Sequence, residues 1–301
     1  MLLKIDRLTK QFGHKIAVDR LSASLSPGIY GLLGANGAGK TTLMRMLCGI
    51  LYPTSGDVQW NGRSILSLGE AYRDLLGYLP QDFGYYPDFT AEQYLHYIAA
   101  LKGLDKQQAR AKSHELLELV DLSAAARKKI RTFSGGMKQR LGIAQAVIND
   151  PCILILDEPT AGLDPKERVR FRNIISHLSA DKIVILSTHI VSDVESIAGQ
   201  ILLMKKGQLL MQGTVKELTA HADGCVWICR VKPEDVPDFE RRYTIGNVRH
   251  EQHEVELRII SEDRPAADAF SVEATLEDLY LYCFSDEHEH HAAGTACAII
   301  N

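Results

Sequence analysis

The sequence predicts an α/β fold: a parallel sheet covered by helices, joined to an antiparallel β layer, a helical insert and a small C-terminal α/β extension. Three observations carry that expectation. Residues 34–42, Gly-Ala-Asn-Gly-Ala-Gly-Lys-Thr-Thr, fit the phosphate-loop spacing G-x-x-x-x-G-K-[ST] between a strand end and a helix start. Further on, buried runs of Val, Ile and Leu alternate with helical segments, as in parallel strands shielded on both faces. Between these two regions, apolar residues recur at helical spacing.

Taken in order, Leu2–Ile5 and Ala17–Leu25 read as strands around a turn at Gly13-His14, and Ile29–Leu33 as a short buried strand. Thr42–Cys48 opens a helix with Leu43, Met46 and Leu47 on one face. Pro53–Gly56 is a turn, followed by Asp57–Trp60 and the Asn61-Gly62 signal of a hairpin. Gly77–Pro80 is a strand that ends at Gln81. Thr90-Ala-Glu-Gln93 resembles a capping box opening a helix over Tyr94–Lys102, and Lys106–Val120 carries leucines at helical spacing. The basic run Arg127–Arg131 reads as a solvated loop or helix end. A helix is expected over Lys138–Asn149, a strand over Cys152–Leu156 and a helix over Pro165–Ser179. The strand Lys182–Ser187, the helix Val191–Ile197 and the strand Gln200–Lys205 complete this half.

After Gly213 the character changes. Strands are expected at Cys225–Val231 and Glu254–Ile260, a helix around Pro233–Arg242, and a last helix opening at Thr275-Leu-Glu-Asp278. Residues 285–301 lack periodicity and read as a disordered tail. The expected boundaries are 1–215 for the main domain, with its insert at about 82–140, and 216–284 for the extension.

Composition narrows the function. A net charge of −4 gives no sign of a nucleic-acid binder. The six cysteines are scattered, which argues against a zinc site or a disulfide framework and suits a reducing compartment. The start, Met1-Leu-Leu-Lys-Ile-Asp, lacks the pattern of a signal peptide. Apolar runs are strand-sized, so a membrane-spanning part is expected on a partner. His288-Glu-His-His291 reads as an exposed histidine tail or a weak metal catch, and Cys297 is misplaced for prenylation.

The phosphate loop states its chemistry. Backbone N–H groups and the positive end of a helix dipole converge on an anion there, and glycine lets the backbone approach it. Gly34, Asn36, Gly37, Ala38, Gly39, Lys40, Thr41 and Thr42 are therefore candidate nucleotide-binding residues. Lys40 would lie along the β/γ-phosphates and the Thr41 hydroxyl on Mg²⁺. The buried run Ile153–Leu156 ends in Asp157-Glu158. Asp157 is a candidate Mg²⁺ holder, and Glu158 a candidate general base for the attacking water.

With these in place, the chain resembles the ATP-binding cassette (ABC) ATPases over roughly residues 2–215, which implies a P-loop NTPase core binding ATP and Mg²⁺. Thr132-Phe-Ser-Gly-Gly-Met-Lys-Gln-Arg140 is similar to that family's signature segment. Pro159-Thr-Ala-Gly-Leu-Asp164 matches its D-loop and Ser187-Thr-His189 its switch histidine. Gln81 falls where the family places a Q-loop, and Phe12 where it places the aromatic that stacks on adenine; Tyr30 is a second candidate for that role.

Ser134-Gly-Gly136 opens a helix and so offers a hydroxyl and free N–H groups to a γ-phosphate, and the resemblance implies that Ser134, Gly135, Gly136 and Asp164 serve the ATP of an opposite subunit. By the same resemblance His189 contacts the γ-phosphate, and Gln81 touches Mg²⁺ or the attacking water. Departures are Phe133 in place of leucine and Met137 in place of glutamine, which bear on the strength of the trans contact. The aromatics Phe83, Tyr85, Tyr86 and Phe89 suit either packing of the insert or a docking surface.

The expected function is an ATP-hydrolysing transporter subunit on the cytoplasmic face of a cell membrane, paired with a membrane-spanning subunit and with a second copy of itself or a related ATPase subunit. The compact signature and the Leu276–Leu279 ending resemble exporters. The alternatives are an importer ATPase, a soluble ABC protein on ribosomes or DNA, and a non-hydrolysing regulator, against which Glu158 and His189 count. The absence of N-K-x-D disfavours a small GTPase.

Overall fold

The computed structural model describes residues 1–251 and 254–284. The expected tail, with its histidine run and Cys297, lies outside the described residues. The chain forms two compact units, Met1–Met211 and Gln212–Asn301.

In the first unit, β1 (Leu3–Phe12) and β2 (Lys15–Leu25) lead to β3 (Gly28–Leu33), the phosphate loop and α1 (Lys40–Leu47). Next come β4 (Ser55–Trp60), β5 (Arg63–Ser64), the short helices α2 (Ile65–Leu68) and α3 (Glu70–Asp74), and β6 (Leu76–Leu79). The insert contributes α4 (Ala91–Leu101) and α5 (Lys106–Leu119), followed by α6 (Gly135–Ala146). Then β7 (Ile153–Asp157), α7 (Pro165–Leu178), β8 (Ile183–Thr188), α8 (Val191–Glu195) and β9 (Gln200–Lys205) alternate, and β10 (Gln208–Gly213) closes the run.

Two sheets result. The antiparallel one has the order β2-β1-β4-β5. Strand alternation turns Leu3, Ile5 and Leu8 of β1, and Leu21 and Leu25 of β2, into the core. The second sheet has the order β10-β9-β3-β8-β7-β6, and β9, β3, β8, β7 and β6 pair in parallel. Ile153, Ile155, Ile183 and Ile185 of this sheet share one core with Leu43, Met44, Met46 and Leu47 of α1 and with the antiparallel layer. Each such side chain contributes about 1.5–3 kcal/mol by leaving water.

Register explains why the site forms where it does. Leu33 lies beside Thr188, Asp157 beside Ser187, and Leu79 beside Leu156. The C-terminal ends of β3, β8, β7 and β6 are thus level, and the next residues of each strand enter one crevice, the usual ligand position in an open parallel sheet.

Several boundaries differ from the sequence expectation. Helix α6 starts at Gly135, as the Ser134-Gly-Gly136 opening implies and ahead of the periodic stretch at Lys138, because the Ser134 hydroxyl caps it by accepting from Met137 N at 3.2 Å. It ends at Ala146 rather than Asn149. Strand β10 was not expected; Lys206 and Gly207 both have positive φ, at 49° and 86°, which suits a two-residue turn into a hairpin strand. The Thr90–Gln93 capping box is present as expected, and Asp105 with Gln108 forms a second one at α5.

The second unit begins with α9 (Val215–Thr219) and then has β11 (Val226–Val231), α10 (Val236–Arg242), β12 (Thr244–His250), β13 (Val255–Ile260), β14 (Phe270–Ser271) and α11 (Leu276–Phe284). Its sheet is antiparallel in the order β12-β13-β11-β14. Cys229, Val231, Val255, Leu257 and Ile259 make its core.

One ion pair anchors α11. Buried Asp278 receives Arg258 Nη2 at 2.6 Å and Nε at 2.8 Å, and Thr275 N at 2.8 Å. Burial pushes the Asp278 carboxyl up, but the bonds from Arg258 and Thr275 outweigh it and hold the group below its ordinary value of 3.8. The resulting stability is complete above that value and is lost as pH falls through the lower folded one. Asp278→Ala should therefore cost this unit about 3 kcal/mol near neutral pH and flatten its acid-side loss. Urea melts read by Trp227 fluorescence, with Trp60 replaced by Phe, measure both effects.

Candidate nucleotide site

A cleft of about 490 Å³ opens where the parallel strands end, lined by Phe12, Lys15, Ala17, Asn36, Gly37, Gly39, Lys40, Thr41, Thr42, Gln81, Glu158 and His189. Five chain segments thus deliver their expected residues to one place. The loop's shape depends on glycine at two positions. Gly39 has φ 106°, and a Cβ there would stand 2.3 Å from the Ala17 carbonyl oxygen; one at Gly34 would stand 2.4 Å from that of Met204. Because Gly39 precedes α1 and no side chain caps that helix, its first N–H groups are left for an anion.

Gly34 and Ala38 belong to the loop but not to the cleft wall. Ala38 is 5% exposed and its carbonyl accepts from Gly207 N at 2.9 Å. The same Gly207 carbonyl accepts from Asp19 N at 2.8 Å, so the β9–β10 turn ties the phosphate loop to β2.

The charges are arranged in layers. Lys40 is buried, and its ammonium donates to the carbonyls of Gly34 at 2.7 Å and Ala35 at 3.2 Å, with Glu158 Oε1 at 3.8 Å. Burial lowers its pKa, and the carboxylates of Glu158 and Asp157 restore part of the loss. Glu158 sits on the left-handed side of backbone space, at φ 49°, a strained position for a side chain with a Cβ. That turn aims its carboxylate at His189, whose Nδ1 is 2.9 Å from Oε2.

Beneath them Asp157 is 1% exposed. Its Oδ1 accepts from Ser187 at 2.7 Å and Thr41 at 3.3 Å, whereas Oδ2 is buried without a hydrogen-bond partner. Ser187 also accepts from Glu158 N at 2.9 Å, locking the two strand ends together. A hydroxyl oxygen beside a carboxylate with one unused buried oxygen suits a hard divalent cation such as Mg²⁺.

The remaining candidates lie elsewhere. Ser134, Gly135, Gly136 and Asp164 do not line this cleft. A second hollow of about 280 Å³ is lined by Gly135, Lys138 and Gln139 of α6, Ala161–Leu163, and Gln81, Asp82, Phe83 and Tyr85. Gln81 is the residue shared by both hollows. Tyr30 is buried and hydrogen-bonded to the Ser26 backbone, so the aromatic that reaches the nucleotide cleft is Phe12, half exposed.

The aromatic run packs the insert. Tyr86 stacks on Phe89 with Tyr97 against both, Lys138 lies 5.2 Å over Tyr85, and Phe83 faces Gly142. In the basic run, Lys129 and Arg131 approach Asp88 at 3.5 and 3.7 Å. Sequence reasoning missed Lys15 and Ala17, which the β1–β2 hairpin folds over the cleft, and the Ser187 brace. For Ser187 a signal existed: a hydroxyl at a buried strand end, two residues before His189.

Fold and site together define a P-loop nucleotide-binding protein, and comparison with known proteins gives its family. The ABC transporter family model matches residues 18–161. An uncharacterized ABC transporter ATP-binding protein of Bacillus subtilis (strain 168) is 40% identical over 232 residues, 77% of either chain. Nod factor export ATP-binding protein I of Paraburkholderia xenovorans (strain LB400) is 37% identical over 225 residues, 74% of either chain. The solved ATP-binding subunit of an ABC transporter superposes with a TM-score of 0.66 at 26% identity, covering 73% of this chain and 93% of that one. The dimeric structure of a bacterial ABC transporter cassette shares the fold at 24% identity and a TM-score of 0.65, over 70% of this chain and 98% of that one. The chain belongs to the ATP-binding proteins of the ABC transporter family and is an ABC-type ATPase.

Proposed function

We propose that this chain is the ATP-hydrolysing subunit of an exporter, working as a head-to-tail dimer on a separate membrane-spanning partner. The observation that carries the reading is the separation of two half-sites. The phosphate loop, Glu158 and His189 share one cleft, whereas the exposed Ser134 and Gly135 start a 12-residue helix outside it. A second copy would bring Ser134 and the N–H groups of α6 to the γ-phosphate, as α1 serves the other phosphates.

In this reading Phe12 carries the adenine and Lys40 the β/γ-phosphates. Glu158 accepts a proton from the attacking water, with His189 orienting the carboxylate and contacting the γ-phosphate. Gln81 senses the site. Thr41 and Asp157 would hold Mg²⁺, which when bound neutralises developing charge on the phosphate oxygens. Asp164 belongs to the dimer interface.

Export is favoured by the curated relatives named for it. A membrane partner is favoured by the family and fits a chain in which, among the described residues, no helix is long and apolar enough to cross a membrane. Co-expressed with its membrane subunit, the protein should sediment with membranes and resist mild salt, on the cytoplasmic side. Recovery of ribosomes or DNA with no membrane protein in a pull-down would favour the soluble reading instead.

A further inference from the structure

Arg140 is 6% exposed and is not among the residues lining either hollow. It projects from α6, less than two turns after Ser134, into the junction of three elements. Its Nε donates to Glu167 Oε2 at 3.1 Å, and its Nη1 to the carbonyls of Val120 and Asp121 at 2.7 Å each. Those carbonyls are the C-terminal end of α5, where a cation is favoured. Glu167 stands in the first turn of α7, and its own N–H is capped by Asp164 Oδ1 at 2.8 Å. The other Glu167 oxygen accepts from Arg170 at 2.9 Å.

Gly136 completes the contact, since a Cβ there would stand 2.7 Å from Glu167 Cγ and Oε2. The signature backbone therefore lies flat against the carboxylate that Arg140 holds. A buried guanidinium is costly unless every arm is matched, and its planar fork fixes direction as well as distance. Lysine, with a single flexible ammonium, cannot serve Glu167 and both carbonyls in the same geometry.

We infer that Arg140, through Glu167, is a positioning residue for the composite site: it fixes the Ser134–Gly136 segment to the α7 N-terminus that bears Asp164. Both segments then meet the second copy as one rigid edge. This rests on the reading that Ser134 and Gly135 complete a partner's site, and the test separates the two.

The full chain is compared as Glu158→Gln, as Glu158→Gln with Arg140→Lys, and as Glu158→Gln with Glu167→Gln. Three quantities are measured: the thermal midpoint, MgATP affinity at protein concentrations where the chain is monomeric, and the ATP-dependent dimer fraction by light scattering. The Glu167→Gln variant retains the Arg140 bonds to α5, so it remains informative if Arg140→Lys folds poorly. The expectation is that nucleotide affinity stays within about twofold while dimerisation weakens roughly tenfold in both double variants, the scale of one charge-assisted hydrogen bond. A purely structural role would lower the midpoint and affinity together and leave dimerisation of the folded fraction unchanged, which overturns the inference. Equal dimerisation in all three chains also overturns it. If Glu158→Gln alone binds MgATP without dimerising, the composite-site reading fails and the inference falls with it.

Discussion

Glu158→Gln should bind ATP as the parent chain does and lose turnover by about 10²–10⁴-fold, the value of a positioned general base. The amide retains the shape and one acceptor, so the His189 contact at 2.9 Å and the loop around Lys40 have a reason to persist. What disappears is the ability to take a proton from water. Slow hydrolysis should leave an ATP-bound dimer as the dominant species, seen by light scattering with nucleotide analysis of the peak. Parental turnover in this variant would remove Glu158 from the role of base.

Lys40→Ala should act earlier, at binding. The Lys40 ammonium is already desolvated and rests on two loop carbonyls, so little reorganisation separates it from phosphate oxygens entering the cleft. Its hydrogen bonds to phosphate are charge-assisted, each worth about 1.5–3 kcal/mol. ATP affinity should fall roughly a hundredfold or more, measured by equilibrium titration, with turnover lost alongside it. The fold should survive, because a buried ammonium with lowered pKa is itself a destabilising element. ATP binding at parental affinity would show that the loop backbone and Mg²⁺ site suffice without the lysine.

The nucleotide cleft was legible because each part is announced locally. The phosphate loop has fixed spacing, and Asp157, Glu158 and His189 stand at the ends of buried strands, which the parallel register then levels. The capping boxes are equally local, and the Thr90–Gln93 box is visible as a four-residue pattern. What escaped depends on partners distant in sequence. Strand β12 reads Thr-Ile-Gly-Asn-Val-Arg-His, with little alternation, and exists because β13 offers it a ladder. Apolar periodicity alone starts α6 at Lys138, because Gly135-Gly136 are weak helix formers; the Ser134-Gly-Gly136 opening marks the true start, and the Ser134 cap makes the glycines the first turn. The left-handed backbone of Glu158 has no sequence signature at all. Arg140 closes the signature segment with no local signal of burial; its contacts to Glu167 and the end of α5 appear only once three elements meet.

The measurement that tests the composite site most directly uses two differently tagged chains and nucleotide trapping in purified heterodimers. Lys40→Ala spoils the site a subunit holds, whereas Ser134→Arg spoils the site it completes in its partner. A heterodimer of these two single variants then contains one doubly broken site and one intact site, and should trap ATP. A heterodimer of wild type with a chain carrying both changes contains no intact site, and should trap none. If the wild-type chain traps ATP beside its doubly changed partner while the first mixture does not, each site is built within one chain and the head-to-tail dimer is contradicted.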